Sequence, residues 1–307
     1  METLKTEEMK KIHLIIFGVA AFFATGCNRL DVAGMIINRS DTEERVAAWL
    51  DWNAQNGTVT IENAPDTYNV YSVSDCHYSD RDTFALQGEN DRLYKYMTAE
   101  RNDPEAQFAI IAGDLANESG EVPYQMVTSS LAYNAATQAD DDPCFVIMGN
   151  HDAYYDCADW YKKYFHTSTY PVVVKTQGGA KDLFLFLDSA NGTHGKRQMD
   201  WLEEQLSHRD EYRNVVVVSH CWMFRTSYNY TTTPAANFPE DEQYAFMDLM
   251  SHNDVSLVVM GHFHACEQRQ FGGVTYVMTD NLNDGKTTPS YMVMSCGEKV
   301  SYEYREL

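Results

Sequence analysis

Short apolar runs alternate with longer amphipathic stretches from residue 68 to the end of the chain. The apolar runs have the length of buried strands, and the amphipathic stretches show the apolar spacing of helices. This alternation predicts a layered α/β domain. The predicted strands cover residues 69–74, 108–112, 144–148, 183–187, 215–219 and 255–260, and the predicted helices cover residues 90–101, 124–137, 158–165, 196–207 and 241–252.

The two ends of this region follow other patterns. The last fifty residues alternate apolar and polar positions around a Gly-Gly pair, which predicts added antiparallel strands. Before the domain, Ser40-Asp41-Thr42-Glu43 is a capping-box pattern for a helix that ends near Gly57. We therefore divide the chain into two parts. Residues 28–66 form a tether and lead-in helix, in which we expect no catalytic residues, and residues 67–307 form a single domain large enough to be an enzyme.

Residues 1–27 have the pattern of an export signal. Lys10 and Lys11 precede an apolar stretch at 12–25, which is short for a membrane span but normal for a signal segment. Small residues then lead directly to Cys27, so the segment resembles a bacterial lipoprotein signal whose cysteine is lipidated. The alternative is simple secretion with cleavage after a small residue. Both predict a protein outside the cytoplasm, and the first predicts a membrane anchor through Cys27 at the periplasmic or cell surface.

Composition narrows the class of partner. The chain has 307 residues, 44% of them apolar, and a formal net charge of −22. Such a surface repels polyanions, so a nucleic acid polymer is not expected as a partner. A cation-lined pocket on an acidic body is still compatible with this charge, since a bound metal is often the largest local charge. With Cys27 acylated, six of the seven cysteines remain, and a chain of this length does not need disulfides.

Five of the apolar runs end in residues that can bind metal. A lone Asp or His at such a point is usually a turn residue, but five strand ends of this kind point to one shared crevice at the carboxyl edge of a sheet. The ligand-type residues at these ends are Asp75, His77, Asp114, Asn150, His220, His262 and His264, and His151 and Asp152 directly follow Asn150.

The ligand types predict two cations. Two aspartates, one asparagine and four histidines form an oxygen and nitrogen set that suits Mn, Fe or Zn. Seven groups are too many for one ion, whereas two ions sharing a carboxylate are a known device for attack on phosphorus. Residues two apart in extended chain face the same side. The pair Asp75 and His77, and the pair His262 and His264, are therefore each predicted to act as a clamp.

The order of these motifs resembles the calcineurin-like metallophosphoesterase superfamily. The motifs D-x-H, G-D, G-N-H-D, H and G-H-x-H occur in that order between residues 69 and 265. Leu187-Asp188-Ser189 and the following Gln198, Trp201, Leu202 and Leu206 look like that family's L-D-S strand and Q-x-x-W-L helix. The resemblance implies an α/β fold of two facing mixed β-sheets flanked by helices, a metallophosphoesterase-type αββα sandwich with its site at the strand ends.

The resemblance also implies a mechanism. A hydroxide between two divalent ions would attack a small phosphomonoester or phosphodiester substrate. His151 would protonate the leaving oxygen or stabilise developing charge, and Asp152 would orient the His151 ring. Asp114 would bridge the ions. The first metal would take Asp75, His77, Asp114 and His264, and the second would take Asp114, Asn150, His220 and His262.

Rival functions fit the sequence less well. A cysteine phosphatase based on Cys221 would need arginine six positions later, where Ser227 stands. The purple-acid-type motif G-D-x-x-Y has Asn117 at its tyrosine position, and the G-D-x-x-D-R-G signature of protein Ser/Thr phosphatases is absent. An inactive binding or scaffold protein on the same fold remains the alternative, but no ligand of the motif set is missing.

Three features near the motifs carry predictions of their own. Cys76 alternates away from its ligand-type neighbours, so it is expected in the core, whereas His194 is expected at the surface. The long segment 221–240 contains many aromatic residues and Arg225. Together with Tyr154 and Tyr155 it forms either an aromatic wall for the leaving group or an ordinary packed loop.

Overall fold

The computed structural model describes residues 41–79, 92–117, 120–131, 143–224, 238–282 and 289–307. The predicted signal segment with Cys27, the predicted tether at 28–40 and the loop residue Arg225 lie outside the described residues. Within the described ranges, no helix combines the length and the hydropathy that a membrane crossing requires.

The predicted elements are found with small shifts at their ends, although residues 132–137 of the helix predicted at 124–137 lie outside the described residues. The helices are α1 (Thr42–Asn56), α2 (Arg92–Arg101), α3 (Val122–Ser130), α4 (Cys157–Phe165), α5 (Gly195–Leu206) and α6 (Glu240–His252). The strands are β1 (Val59–Ala64), β2 (Tyr68–Val73), β3 (Ala106–Ile111), β4 (Cys144–Val146), β5 (Tyr170–Thr176), β6 (Lys181–Phe186), β7 (Asn214–Val218), β8 (Leu257–Met260), β9 (Glu267–Phe271), β10 (Val274–Met278), β11 (Ser290–Cys296) and β12 (Val300–Glu306).

Two mixed sheets form the domain, which confirms the predicted fold class. A seven-stranded sheet has the order β1-β5-β6-β7-β8-β10-β9, and a five-stranded sheet has the order β12-β11-β2-β3-β4. The strands that lead to the ligand-type residues run parallel to their neighbours within each sheet, β2 with β3 and β4, and β7 with β8. Parallel strands bring their carboxyl ends to one edge, so the topology collects the polar strand ends.

The sheets pack face to face through a large aromatic and aliphatic core. Phe108 on β3 meets Phe184 on β6 with ring centroids 5.0 Å apart in an edge-on arrangement. Helices cover the two outer faces: Leu93 and Tyr161 pack on the five-stranded sheet, and Leu202 packs on the other. Strands covered on both faces read as continuous apolar runs, and this is why β3 and β7 were recognisable in the sequence.

Residues 42–64 are packed into the same domain. The N-cap of α1 is Asp41, whose carboxylate accepts hydrogen bonds from the amides of Glu43 at 2.8 Å and Glu44 at 3.2 Å. Gly57 ends the helix with a φ of 81°, as predicted. The short strand β1 then pairs in parallel with β5 at the sheet edge. The sequence pattern did not predict this strand, because only part of it is buried.

A buried ion pair attaches α1 to the domain. The Arg45 guanidinium donates two hydrogen bonds to Asp188, at 2.9 and 3.0 Å, and Trp49 Nε1 donates a third at 3.1 Å. Burial alone would raise the pKa of Asp188, but the charge and hydrogen bonds of Arg45 hold it below its usual value. Asp188 follows β6, so the lead-in helix contacts the strand end that adjoins the site.

Replacing Arg45 with methionine is expected to lower the free energy of unfolding by about 3–5 kcal/mol, because the buried Asp188 carboxylate would lose its charged partner. Denaturant unfolding measures the effect. The matched control is Arg197→Met, since Arg197 on α5 forms an exposed pair at 3.9 Å with Glu43, which lies on the same helix as Arg45. We expect the control to cost at most about 1 kcal/mol. Equal costs for the two substitutions would contradict a stabilising role for the buried pair.

Candidate metal centre

The ligand-type side chains of the five strand ends meet where the two sheets adjoin. The segments after β2, β3 and β4, from the five-stranded sheet, supply every oxygen donor and one histidine. The segments after β7 and β8, from the other sheet, supply the remaining three histidines. The structure therefore brings together all seven candidate ligands: Asp75, His77, Asp114, Asn150, His220, His262 and His264.

The first set surrounds Asp75. Its Oδ1 atom lies 3.2 Å from His264 Nε2 and 3.6 Å from His77 Nε2. The two histidines face each other with their Nε2 atoms 3.0 Å apart, and His77 Nε2 is also 3.6 Å from Asp114 Oδ2. These four residues are the ones that the resemblance assigns to the first metal.

The second set surrounds Asn150. Its Oδ1 atom lies 3.1 Å from His220 Nε2 and 2.8 Å from His262 Nδ1. Asp114 Oδ2 is 3.4 Å from His220 Nε2, so this carboxylate belongs to both sets. The distances match the second predicted set, with Asp114 in the bridging position between the two.

The tautomer of His220 shows that a cation fits this second set. His220 Nδ1 lies 2.7 Å from the carbonyl oxygen of Ala112, which can only accept, so Nδ1 carries a proton. In neutral His220 the Nε2 atom is then an acceptor, and it faces the acceptor oxygens of Asn150 and Asp114. Converging acceptors need positive charge between them, which a proton on Nε2 or a bound cation supplies, and a histidine oriented by a backbone carbonyl in this way is typical of metal-binding sites.

The electrostatics also favour positive charge. Burial alone would lower the pKa of His220, but the charges of Asp114 and Asp75 raise it to about 9. Burial would likewise raise the pKa of Asp75, but hydrogen bonds from His264 and His77 hold it well below its usual value. His262 behaves differently, because burial and the charge of His220 lower its pKa to about 3. The pocket thus stabilises ionised carboxylates and a neutral His262, the forms that bind metal, whereas a cation bound beside His220 would displace a proton from its Nε2 atom.

The backbone around the ligands is left-handed. Five of the seven candidate ligands have positive φ: Asp75 (55°), His77 (50°), Asp114 (55°), His262 (83°) and His264 (54°). Such conformations are uncommon for residues other than glycine and cluster at functional sites. Because these residues lie past the strand ends and are not extended, the predicted alternation does not apply to them. The predicted clamp of His262 with His264 is therefore wrong: His262 faces Asn150, whereas His264 faces Asp75.

Two glycines leave room for the ligands. Gly113 has a φ of 93°, and a Cβ there would lie 2.6 Å from His220 Nδ1. A Cβ at Gly149 would overlap the carboxylate of Asp114. The glycines of the G-D and G-N-H-D motifs thus allow the segments after β3 and β4 to approach each other across the site.

His151 lies beside both ligand sets, but Asp152 does not orient it. The His151 Nδ1 atom donates to the carbonyl oxygen of Asn117 at 2.8 Å, and its ring lies edge-on to His77 with centroids 4.5 Å apart. The predicted contact between Asp152 and the His151 ring is therefore corrected. No sequence signal pointed to this partner, because a backbone carbonyl leaves no trace in the side-chain pattern.

Asp152 instead braces the loops that carry the ligands. Its two oxygens accept from the amides of Leu115, Ala116 and Gly149 at 2.9–3.0 Å and from the Tyr124 hydroxyl at 2.9 Å. Burial and the charge of Asp114 raise its pKa to about 6, although these donors act in the opposite direction. One carboxylate therefore holds the segment after β3 against the segment after β4.

A second layer of polar residues supports His220. The Ser189 hydroxyl accepts from the amides of His220 and Cys221, both at 3.0 Å. His194 is fully buried beside this layer and contacts Ser219 Oγ through Nε2 at 3.1 Å, and burial lowers its pKa to about 3. The predicted surface position of His194 is thus wrong: the Gly-rich composition of its loop indicated exposure, but the loop folds inward against α6.

Cys76 and Cys221, which directly adjoin candidate ligands, are both buried. Cys221 donates to the carbonyl oxygen of Ser189 at 3.1 Å, and burial raises the pKa of its thiol. A nucleophilic cysteine requires the thiolate, so this environment does not favour a cysteine phosphatase. Cys76 lies in the core, as predicted. None of the six cysteines of the described ranges forms a disulfide.

The described part of the segment 221–240 is packed rather than open. Trp222 and Met223 are each only 2% exposed, and Phe224 packs on Tyr276 with ring centroids 5.1 Å apart. This part fits the alternative of a packed loop, and residues 225–237 lie outside the described residues. Tyr155, by contrast, is 53% exposed.

Comparisons with known proteins agree with this geometry. The sequence model of the family described as calcineurin-like phosphoesterase matches residues 68–266. Among solved structures, GAP50, the anchor in the inner membrane complex of Plasmodium, is similar with a TM-score of 0.58 and 13% identity, over 78% of this chain and 84% of that one. Purple acid phosphatase PPD1 from yellow lupin (Lupinus luteus) is similar with a TM-score of 0.60 and 13% identity, over 79% of this chain and 52% of that one. No curated protein sequence gives a significant match.

Proposed function

Because the matched residues 68–266 make up well over half of its 307 residues, the chain belongs to the calcineurin-like phosphoesterase family, and from this we propose that it hydrolyses small phosphate esters with two divalent cations. The substrate is a phosphomonoester or a phosphodiester, and Mn, Fe or Zn suits the oxygen and nitrogen donors. The export signal predicted at residues 1–27 supports a role outside the cytoplasm, with a lipidated Cys27 as the membrane anchor.

One observation carries this proposal. The two sets of donors around Asp75 and Asn150 overlap at Asp114, as a pair of cations sharing one carboxylate requires. When bound, two such cations activate water and polarise a phosphoryl group. Asp75 and Asp114 are the only carboxylates in the two sets, so two divalent cations leave a net charge of about +2 to attract an anionic phosphate.

The protein's own groups then have distinct tasks. Asp114 and Asn150 direct acceptor oxygens toward His220 Nε2, so these residues would hold the second cation together with His220. Asp152 fixes the two ligand loops relative to each other. His151, with its Nδ1 atom bound to the Asn117 carbonyl, keeps Nε2 for the substrate. In its protonated, imidazolium form, whose pKa is lowered by burial, the ring would donate the Nε2 proton to the leaving oxygen, as a general acid does.

The alternative is an inactive binding or scaffold protein on the same fold. The similarity to GAP50, which is described as an anchor, is the observation that favours this alternative. At 13% identity the likeness concerns the fold alone. The complete ligand set and the buried, charge-matched pocket favour the enzyme, because burying two carboxylates among histidines costs stability without serving a scaffold.

The direct test is hydrolysis by the purified full-length chain. After treatment with a chelator, we expect activity to return when Mn²⁺, Fe²⁺ or Zn²⁺ is added, on a chromogenic phosphomonoester, a chromogenic phosphodiester or both. The ratio of the two rates assigns the substrate class, and the control is the chelated protein without added metal. A protein that holds no metal and hydrolyses neither ester with any of the three metals would refute the proposal in favour of the scaffold.

A further inference from the structure

Tyr154 contacts two of the candidate site groups at once. Its hydroxyl accepts a hydrogen bond from Asn150 Nδ2 at 2.9 Å. Its ring packs against the ring of His151 with centroids 4.9 Å apart. Tyr154 directly follows a short 3-10 turn at His151–Ala153 and closes it, with its amide donating to the His151 carbonyl at 3.1 Å. The turn thus folds this tyrosine back onto the residues that precede it.

The contact with Asn150 bears on which end of the amide faces the cation. The oxygen and nitrogen ends of an asparagine side chain are nearly equal in size, so shape alone does not distinguish them. Only the oxygen can bind a cation, and it lies 3.1 Å from His220 Nε2 and 2.8 Å from His262 Nδ1. The opposite orientation would direct an N–H group at the cation. The Tyr154 hydroxyl accepts from the nitrogen end and therefore favours the orientation in which the oxygen faces the cation.

The contact with His151 separates two roles within the same side chain. The ring of Tyr154 limits the positions of the His151 ring, whereas the hydroxyl accepts the hydrogen bond from Asn150. Removing the hydroxyl while keeping the ring should consequently affect the second ligand set and leave His151 in place. The neighbouring Tyr155 supplies a matched control, because it is 53% exposed and carries the same side chain.

From these contacts we infer that Tyr154 is a positioning residue for the second metal: its hydroxyl holds the Asn150 amide with the oxygen toward His220 and His262. This inference rests on the proposed two-cation function. It assigns a role to a residue outside the ligand set, and it explains why the turn after Asn150 brings an aromatic hydroxyl back to the site. Residues that orient a metal ligand typically contribute about 10–100-fold to metal affinity.

The test is calorimetric titration of Mn²⁺ into chelator-treated full-length protein, for the wild type, Tyr154→Phe and Tyr155→Phe. We expect two Mn²⁺ sites in the wild type and in Tyr155→Phe. In Tyr154→Phe we expect one site unchanged and the other weakened by about 10-fold or more. Activity of Tyr154→Phe should return to the wild-type kcat at saturating Mn²⁺, since the defect lies in metal affinity, and the unfolding temperature in chelator should match the wild type.

The possible outcomes separate the two proposals. Equal affinities of both sites in the wild type and Tyr154→Phe would overturn the role of Tyr154 and leave the two-cation function standing. Loss of kcat that excess Mn²⁺ does not restore would also overturn it, because that result indicates a general structural defect. A wild type that binds fewer than two Mn²⁺ ions would instead defeat the two-cation proposal, and the inference with it.

Discussion

Asp114→Ala is expected to abolish hydrolysis and to lower the metal content of the purified protein. Asp114 faces both His77 and His220, at 3.6 and 3.4 Å, so its loss removes a donor from each ligand set at the same time. It also removes the acceptor of the His151 amide, which donates to Asp114 Oδ1 at 2.8 Å. Since a bound cation contributes several kcal/mol to the reaction, we expect kcat/KM to fall by at least about 10³-fold.

The measurement combines elemental metal analysis with steady-state kinetics on the better of the two chromogenic esters. The control is Asp159→Ala, an exposed carboxylate on α4, which should leave metal content and rate unchanged. Unfolding in the presence of chelator shows whether the variant still folds. Full metal content together with wild-type kinetics in Asp114→Ala would remove Asp114 from the proposed centre.

His151→Ala is expected to keep both cations but to lose turnover. His151 lies outside the two distance-defined sets around Asp75 and Asn150, although its ring stands beside His77 and Asp114. General acid catalysis is worth about 10²–10⁴-fold. The loss should be smaller for an activated aryl ester, whose leaving group needs no proton, than for an alkyl ester. A larger loss for the alkyl ester than for the aryl ester therefore indicates lost protonation of the leaving oxygen, whereas a general structural defect would slow both esters equally.

The control for this substitution is His252→Ala, because His252 is an exposed histidine at the end of α6. It should leave both rates and the metal content unchanged. Two results would contradict the assignment of His151. Loss of a metal ion in His151→Ala would make the residue a ligand, and equal losses for aryl and alkyl esters would exclude proton donation.

Most of the fold could be predicted because buried strands leave a clear pattern. β3 and β7 are covered on both faces, so they read as unbroken apolar runs that end in a ligand-type residue. β1 left no such signal, since it is a short edge strand with alternate residues exposed. The buried attachment of α1 was likewise hidden, because an arginine in an amphipathic stretch usually faces solvent.

Which residues form the site could be predicted, but the direction in which several of their side chains point could not. Spacing along extended chain suggested that His262 and His264 act together, whereas their left-handed backbone sends them to different ligand sets. Asp152 was expected to hold His151, but backbone amides and Tyr124 occupy its oxygens. Both errors have one cause: they concern loops past the strand ends, where neither alternation nor helical periodicity fixes the direction of a side chain.

The position of β11 has a consequence for any fragment of this protein. β11 lies between β12 and β2 in the five-stranded sheet, although it follows the region that matches the family by more than twenty residues. A fragment trimmed to residues 68–266 would expose the edge of β2 and would leave Asp188 without Arg45. The portion shared with other phosphoesterases thus contains all the candidate ligands. Its stable folding nevertheless depends on flanking segments that lie outside the family match.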